Sequence, residues 1–111
     1  MPISGDVVDL DAPEGHEAGF RHPAVIVTAQ RILDAGPSVV HVVPLMSTVC
    51  GYDSDVVVEP SPTDGLTAVS AAQCQHLRSV STRRVQARRG NVGSAVLAQV
   101  REAIALVLDL P

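Results

Sequence analysis

The chain predicts a mostly β fold: a small, strongly curved antiparallel sheet or barrel closed by one C-terminal helix. Three observations carry this. Short runs dense in valine recur between clusters of Gly, Pro, Asp and Ser, the pattern of strands joined by turns. From Ser94 the apolar spacing changes to every third or fourth residue, the period of a helix. With no Trp, one Tyr and one Phe, the core must be built from Val, Leu, Ile and Ala. The length of 111 residues fits a single domain over 1–111 with one modest core.

Taken in order, Gly5 to Asp11 (GDVVDLD) reads as a first strand, followed by a loop over 12–21 and a second strand over about 22–28. Ala29 to Ala35 fits a short helical turn, closed by Gly36-Pro37. Ser38 to Leu45 (SVVHVVPL) is a third strand, and Met46 to Ser54 a polar loop. Asp55 to Glu59 is a fourth strand, and Pro60 to Gly65 (PSPTDG) a turn. Ala71 to Ser81 is of mixed character, with its centre read as a fifth strand. Val85 to Val92 adds one more, interrupted near Gly90. Ser94 is the expected N-cap of an amphipathic helix of about four turns, with Val96, Leu97, Val100, Ile104, Val107 and Leu108 on its inner face.

No apolar run reaches the roughly 18 residues of a membrane span, and the N-terminus lacks a basic stretch followed by an apolar one. A cytoplasmic protein is the expectation. Cys50 and Cys74 have neither metal spacing nor a disulfide pattern and are expected to be reduced and structural. No set of His, Cys, Asp and Glu has metal-ligand spacing, and no glycine loop suits a bound nucleotide, so no metal or cofactor is expected.

Charge is unevenly divided. Through residue 65 two arginines face ten acids, and from residue 66 six arginines face two, on a chain of net charge −4 without lysine. Five arginines fall at 78, 83, 84, 88 and 89. Such a cluster binds phosphate groups, or else forms a solvated face pairing with the acidic half; composition leaves both open. The stretch Gly15 to Thr28 (GHEAGFRHPAVIVT) gathers His16, Glu17, Arg21 and His22 at the mouth of an apolar strand, where sites are often built.

Four segments in this order resemble the MazF/PemK family of toxins from toxin–antitoxin systems. GDVVDLD is similar to the family's opening strand, and GHEAGFRHPAVIVT to its G-x-E-x-x-x-R-P-A-V-V-V signature. VVHVVPLMST is similar to V-x-x-V-P-L/I-T-T/S, and QCQHLRSVSTRRV to Q-I-R-T-I-x-x-x-R-L. The resemblance spans nearly the whole chain. It implies an SH3-like or CcdB-like barrel, a homodimer, a MazE-like antitoxin partner with an acidic tail, and metal-independent endoribonuclease action on single-stranded RNA. It also places His16, Glu17, Gln75, His76 and Arg78 where the family contacts RNA or antitoxin.

Both principal catalytic slots differ from the family pattern. Aligned on Glu17 and Pro23, the arginine slot holds His22, with Arg21 one residue earlier; the slot of the first threonine holds Met46, with Ser47 and Thr48 following. Metal-free RNA cleavage uses the ribose 2′-OH as nucleophile and needs a base, an acid for the leaving 5′-oxygen, and donors to the phosphoryl oxygens. His22 titrates near neutrality and suits base or acid work, whereas an arginine stays protonated and suits charge stabilisation. The expected catalytic set is therefore His22, Arg21, and Thr48 or Ser47, with Thr48 preferred because it shares strand parity with Met46. Arg78 is a second candidate for phosphate stabilisation. The alternative is a family member that no longer cleaves and acts as a binding module, titrating antitoxin or, like CcdB, engaging another protein. His41, inside a valine-rich strand, reads as a satisfied structural histidine.

Overall fold

The structure, a computed structural model, describes residues 2–11 and 22–111, residue 22 through its backbone alone. Seven strands are present: β1 (Asp6–Leu10), β2 (His22–Ile26), β3 (Val39–Met46), β4 (Asp55–Val58), β5 (Ser70–Gln73), β6 (Arg78–Ser81) and β7 (Val85–Asn91). A short helix α1 (Gln30–Leu33) follows β2, and α2 (Gly93–Leu108) ends the fold. Two 3-10 turns, η1 (Cys74–His76) and η2 (Thr82–Arg84), flank β6. The strands run in the order β4-β5-β3-β2-β1-β7, all pairs antiparallel, with β6 beside the first half of β3. Among the described residues no helix is long and apolar enough to cross a membrane.

Alternation along the strands gives the sheet two buried faces. Val7, Val25, Val43 and Leu45 lie on one, packed with Val56 and Val58 of β4 and with Val100 and Ala103 of α2. Val8, Leu10, Ala24, Ile26, Val40 and Val42 lie on the other, joined by Val80 of β6 and Leu33 of α1. This is why β1 is buried at all five residues despite carrying Asp6 and Asp9. Both carboxylates are held by β7: Arg88 Nε donates to Asp6 Oδ1 at 2.9 Å, and Arg89 Nε to Asp9 Oδ1 at 2.8 Å.

The barrel is not closed by a ladder among the described residues. Its seam is instead a close backbone approach. Asn91 N donates to Thr63 O at 2.8 Å, and a Cβ on Gly90 would stand 2.3 Å from that same oxygen. Gly65, at φ +70°, meets the Arg89 carbonyl as tightly. Only glycine fits at either point.

The expected fifth strand is corrected. The β5 register pairs Ala72 with Leu45, and the β6 register pairs Arg78 with Val42. Three residues of β3 thus face six of the opposing chain, and the surplus three are η1. The centre of 71–81 is a 3-10 insertion between two strands, not a strand. Ser94 is likewise not the N-cap: α2 begins at Gly93 after Val92, and Asn91 Oδ1 accepts from Gly93 N at 2.8 Å. Val107 and Leu108 lie beyond the part of α2 that packs and are exposed. The interruption expected near Gly90 is a register shift: Val7 pairs with Gly90 and Val8 with Arg88, and a second shift follows between Asp9 and Leu10, while β7 continues through both.

Candidate active site

The site is built where β2 begins and β3 ends. Ala24 pairs with Pro44, Val25 with Val43 and Ile26 with Val42. Carried two residues further, the same register leads from the backbone of His22 toward Met46. The paired residues of β2 and β3 end at Ala24 and Pro44, and beyond them Met46 pairs with Ala71 of β5; the two positions that the sequence aligns with the family's main catalytic slots thus follow the last β2–β3 pair on either strand. Met46 is 41% exposed at this place. His16, Glu17 and Arg21 lie outside the described residues.

The path of the chain after Met46 is set by topology. Both β3 and β4 are antiparallel to β5, which lies between them, so β3 and β4 run parallel. Residues 47–54 must therefore cross β5 from one end to the other. Ser47 and Thr48 are exposed on this crossing. Since β3 ends at Met46, the strand parity that favoured Thr48 does not extend to it; Ser47 and Thr48 stand as equal candidates for the hydroxyl donor. Gly51, at φ +77°, supplies the left-handed turn of the crossing segment.

A residue unremarked in the sequence anchors this segment. Asp55 is half-buried at the start of β4; its Oδ2 accepts from Cys50 N at 3.3 Å, and its N–H donates to Tyr52 O at 2.9 Å. Its other carboxylate oxygen is buried without a hydrogen-bond partner among the described residues. An aspartate five residues beyond a cysteine carries no motif, so only the fold reveals its role. Cys74 N donates to Ser54 O at 3.0 Å, which ties the crossing segment to η1.

The 3-10 insertion exposes Gln75 and His76, and Arg78 is exposed at the start of β6. The fold brings these three together at the junction of β5 and β6, along the edge of β3 opposite β2. Of the arginine cluster, Arg88 and Arg89 are committed to β1 carboxylates, and Arg84 Nη2 donates to Asp11 O at 2.7 Å. Pairing with the acidic half thus takes up two of the five and a backbone carbonyl holds a third, leaving Arg78 and Arg83 with no side-chain partner among the described residues. His41 is exposed on β3; its backbone N–H donates to Thr28 Oγ1 at 2.7 Å and its ring nitrogen lies 3.5 Å from the same hydroxyl. Cys50 is exposed and Cys74 buried, both free thiols. Burial, with the Asp55 charge added, pushes Cys74 up to about 11. Among the described residues no group of three His, Cys, Asp or Glu side chains is placed to hold a metal.

Comparison with known proteins agrees with this architecture. Residues 4–108 match the family described as PemK-like, MazF-like toxin of type II toxin–antitoxin system. The chain is 37% identical over 107 residues to endoribonuclease MazF9 of Mycobacterium tuberculosis, covering 93% of this chain and 91% of that one. Among solved structures, a mycobacterial endoribonuclease in complex with its cognate antitoxin superposes with a TM-score of 0.79 at 22% identity, over 100% of this chain and 98% of that one. A MazE-MazF structure from Deinococcus radiodurans gives 0.78 at 23% identity, over 99% and 97%. At these identities the structural likeness speaks for the fold, and the family match for kinship.

Proposed function

The chain belongs to the PemK-like, MazF-like toxin family of type II toxin–antitoxin systems, and from that membership we propose that it is an endoribonuclease toxin cleaving single-stranded RNA. Its substrate is RNA, its protein partners are a second copy of itself and a cognate antitoxin, and its place of action is the cytoplasm, where translation is slowed. The alternative of a non-cleaving binding module is not favoured, because the 37% identity is to a protein named as an endoribonuclease.

The observation that supports the site reading is the β2–β3 register, which pairs Ala24 with Pro44 and, continued two residues, leads from position 22 toward Met46. A histidine at the first position can move the proton of the 2′-OH or of the leaving 5′-oxygen. Attack by the 2′-oxygen on phosphorus breaks the bond to the 5′-oxygen and leaves a 2′,3′-cyclic phosphate. DNA, which lacks the 2′-OH, is not cut by this route. Arg21 and Arg78 are assigned to the phosphoryl oxygens and Ser47 or Thr48 to a donor hydroxyl. His16, Glu17, Gln75 and His76 are assigned to RNA or antitoxin contacts. With one exposed tyrosine described, at position 52, sequence preference rests on hydrogen bonding more than on base stacking.

The test is incubation of the purified protein with a long mixed-sequence RNA in EDTA, followed by end mapping. Discrete cuts with 2′,3′-cyclic phosphates, slowed about 10²–10⁴-fold by His22→Ala, are expected. Cleavage that His22→Ala leaves unchanged removes His22 from the mechanism; intact RNA from a folded dimer overturns the cleavage reading.

A further inference from the structure

A cavity of about 420 Å³ opens into the second buried face, its lining running from Asp6 and Ile26 at one end of β1 and β2 to Val85, which pairs with Leu10 at the other. Its walls are apolar: Val8, Ile26, Leu33, Val40 and Val85. Ile26 and residue 22 are four positions apart on β2, about 13 Å at the rise of a strand, while Val85 pairs with Leu10, the partner of residue 22, so the cavity runs from the far end of β2 to the row beside the candidate active site. Its size falls within the range of small-molecule sites, and the open end of a β-barrel is one of their usual positions.

Two charged groups line it, and one of them is half used. The cavity is lined by both Asp6 and Arg88. Asp6 is 1% exposed and its carboxylate is saturated: Oδ1 accepts from Arg88 Nε at 2.9 Å and Asn91 Nδ2 at 3.1 Å, and Oδ2 accepts from Ile3 N at 2.8 Å. Arg88 is thereby fixed by its Nε, while its side chain remains 53% exposed and its terminal nitrogens have no partner among the described residues. A guanidinium held at one edge presents two parallel N–H donors at the other, the geometry that matches the two oxygens of a carboxylate. Thr82, whose hydroxyl already donates to Ser38 O at 3.2 Å, adds an acceptor at the rim.

We propose that this cavity binds a small amphipathic carboxylate, its apolar body between Ile26, Leu33, Val40 and Val85 and its head group on the outer edge of Arg88. The single guanidinium, already partnered by Asp6, suits one negative charge better than the two of a phosphate monoester. The apolar walls supply most of the affinity, and Arg88 selects the head group.

Octanoate and its neutral counterpart 1-octanol serve as probes, titrated into the full chain with binding followed by amide chemical shifts. Saturable octanoate binding is expected, at least tenfold tighter than that of 1-octanol, with shifts centred on Val8, Val40 and Val85. Val85→Phe, which fills the cavity and leaves the Asp6 network intact, should abolish both. Arg88→Lys, which keeps a positive charge beside Asp6 but has no second edge, should erase the preference for octanoate while 1-octanol binds as before. Two results overturn the proposal: no saturable binding, or binding that Val85→Phe leaves untouched. A third does so as well: octanoate excluded from the wild-type dimer but bound by a dissociated protomer, which would make the cavity a contact between copies.

Discussion

Arg88 and Asp6 meet across β7 and β1 through a 2.9 Å bond from Nε to Oδ1, with the carboxylate buried and the guanidinium half in water. The pair is unequal in consequence. Removing Arg88 leaves Asp6 two donors, Asn91 Nδ2 and Ile3 N. Removing the carboxylate strands those two groups and the arginine at once. Asp6→Ala should therefore cost more than Arg88→Ala, about 2–4 kcal/mol against about 1–2. Urea unfolding of the two variants, with the double mutant to close the cycle, measures this; equal losses would mean that Arg88 alone holds Asp6 in place.

The seam between β7 and the 60–65 turn predicts an intolerance to side chains. In Gly90→Ala the new methyl would stand 2.3 Å from the Thr63 carbonyl oxygen, a backbone atom that cannot rotate away. The strand and the turn must separate, which breaks the Asn91 N to Thr63 O bond. A loss of about 1–3 kcal/mol is expected, together with faster hydrogen exchange at the Asn91 amide. An unchanged Asn91 exchange rate would show that the strain is absorbed elsewhere.

Much of this fold is legible in the sequence, and the misses share a cause. SVVHVVPL is read correctly because a dense β-branched run between turn residues marks a strand, and the helix beginning near Ser94 because its 3.6 period persists over enough residues. The stretch 71–81 is misread because η1 inserts three residues into what would be one long strand, and no period survives the insertion. The helix start is misplaced by two residues, from an N-cap at Ser94 to one at Val92, because Asn91, still within β7, supplies the acceptor expected of Ser94. At the site, the sequence names positions 22 and 46, but only the register shows that they flank the Ala24–Pro44 pair of β2 and β3. The role of Asp55 has no sequence signal at all. Of the arginine cluster, composition cannot separate Arg88 and Arg89, bound to β1 carboxylates, from Arg78 and Arg83.

That separation has a measurable consequence for RNA binding. Each phosphate neutralised on a single strand contributes about −0.7 to the slope of log affinity against log salt. Arg78→Ala and Arg83→Ala should each flatten the slope by roughly that amount for every phosphate left without its arginine. Arg89→Ala should destabilise the fold by releasing Asp9 and leave the slope of the folded protein unchanged. A binding affinity insensitive to salt would remove phosphate contacts as its source.

Cys74 predicts how stability falls in alkali. Its thiol is fully buried, and folding raises its pKa from 9.0 to about 11 through burial and the nearby Asp55 charge. The unfolded chain therefore loses this proton first. Stability contributed by the neutral thiol is intact below pH 9, declines as pH rises past it, and levels off above about 11, a total of roughly 2–3 kcal/mol. Denaturant midpoints at pH 8 and pH 10.5 should differ in the wild type and converge in Cys74→Val. A persistent difference in that variant would place the titration on another group.

Met46→Thr is the substitution most directly addressed to the departure from the family pattern. Position 46 is 41% exposed at the end of β3, so the smaller β-branched side chain fits a strand there without opening a cavity. Its hydroxyl would stand on β3 just past the Ala24–Pro44 pair, where Met46 offers no donor to a phosphoryl oxygen. One added hydrogen bond made in the transition state contributes about 1–1.5 kcal/mol, close to a tenfold gain in rate. The gain should appear in kcat with KM little changed, because the charge on the phosphoryl oxygens develops only as the bond breaks. If the rate does not rise, the donor is already supplied from the crossing segment, and Ser47→Ala or Thr48→Ala should then lower kcat by the same factor. If none of the three changes matters, stabilisation of the phosphoryl oxygens falls to the arginines alone.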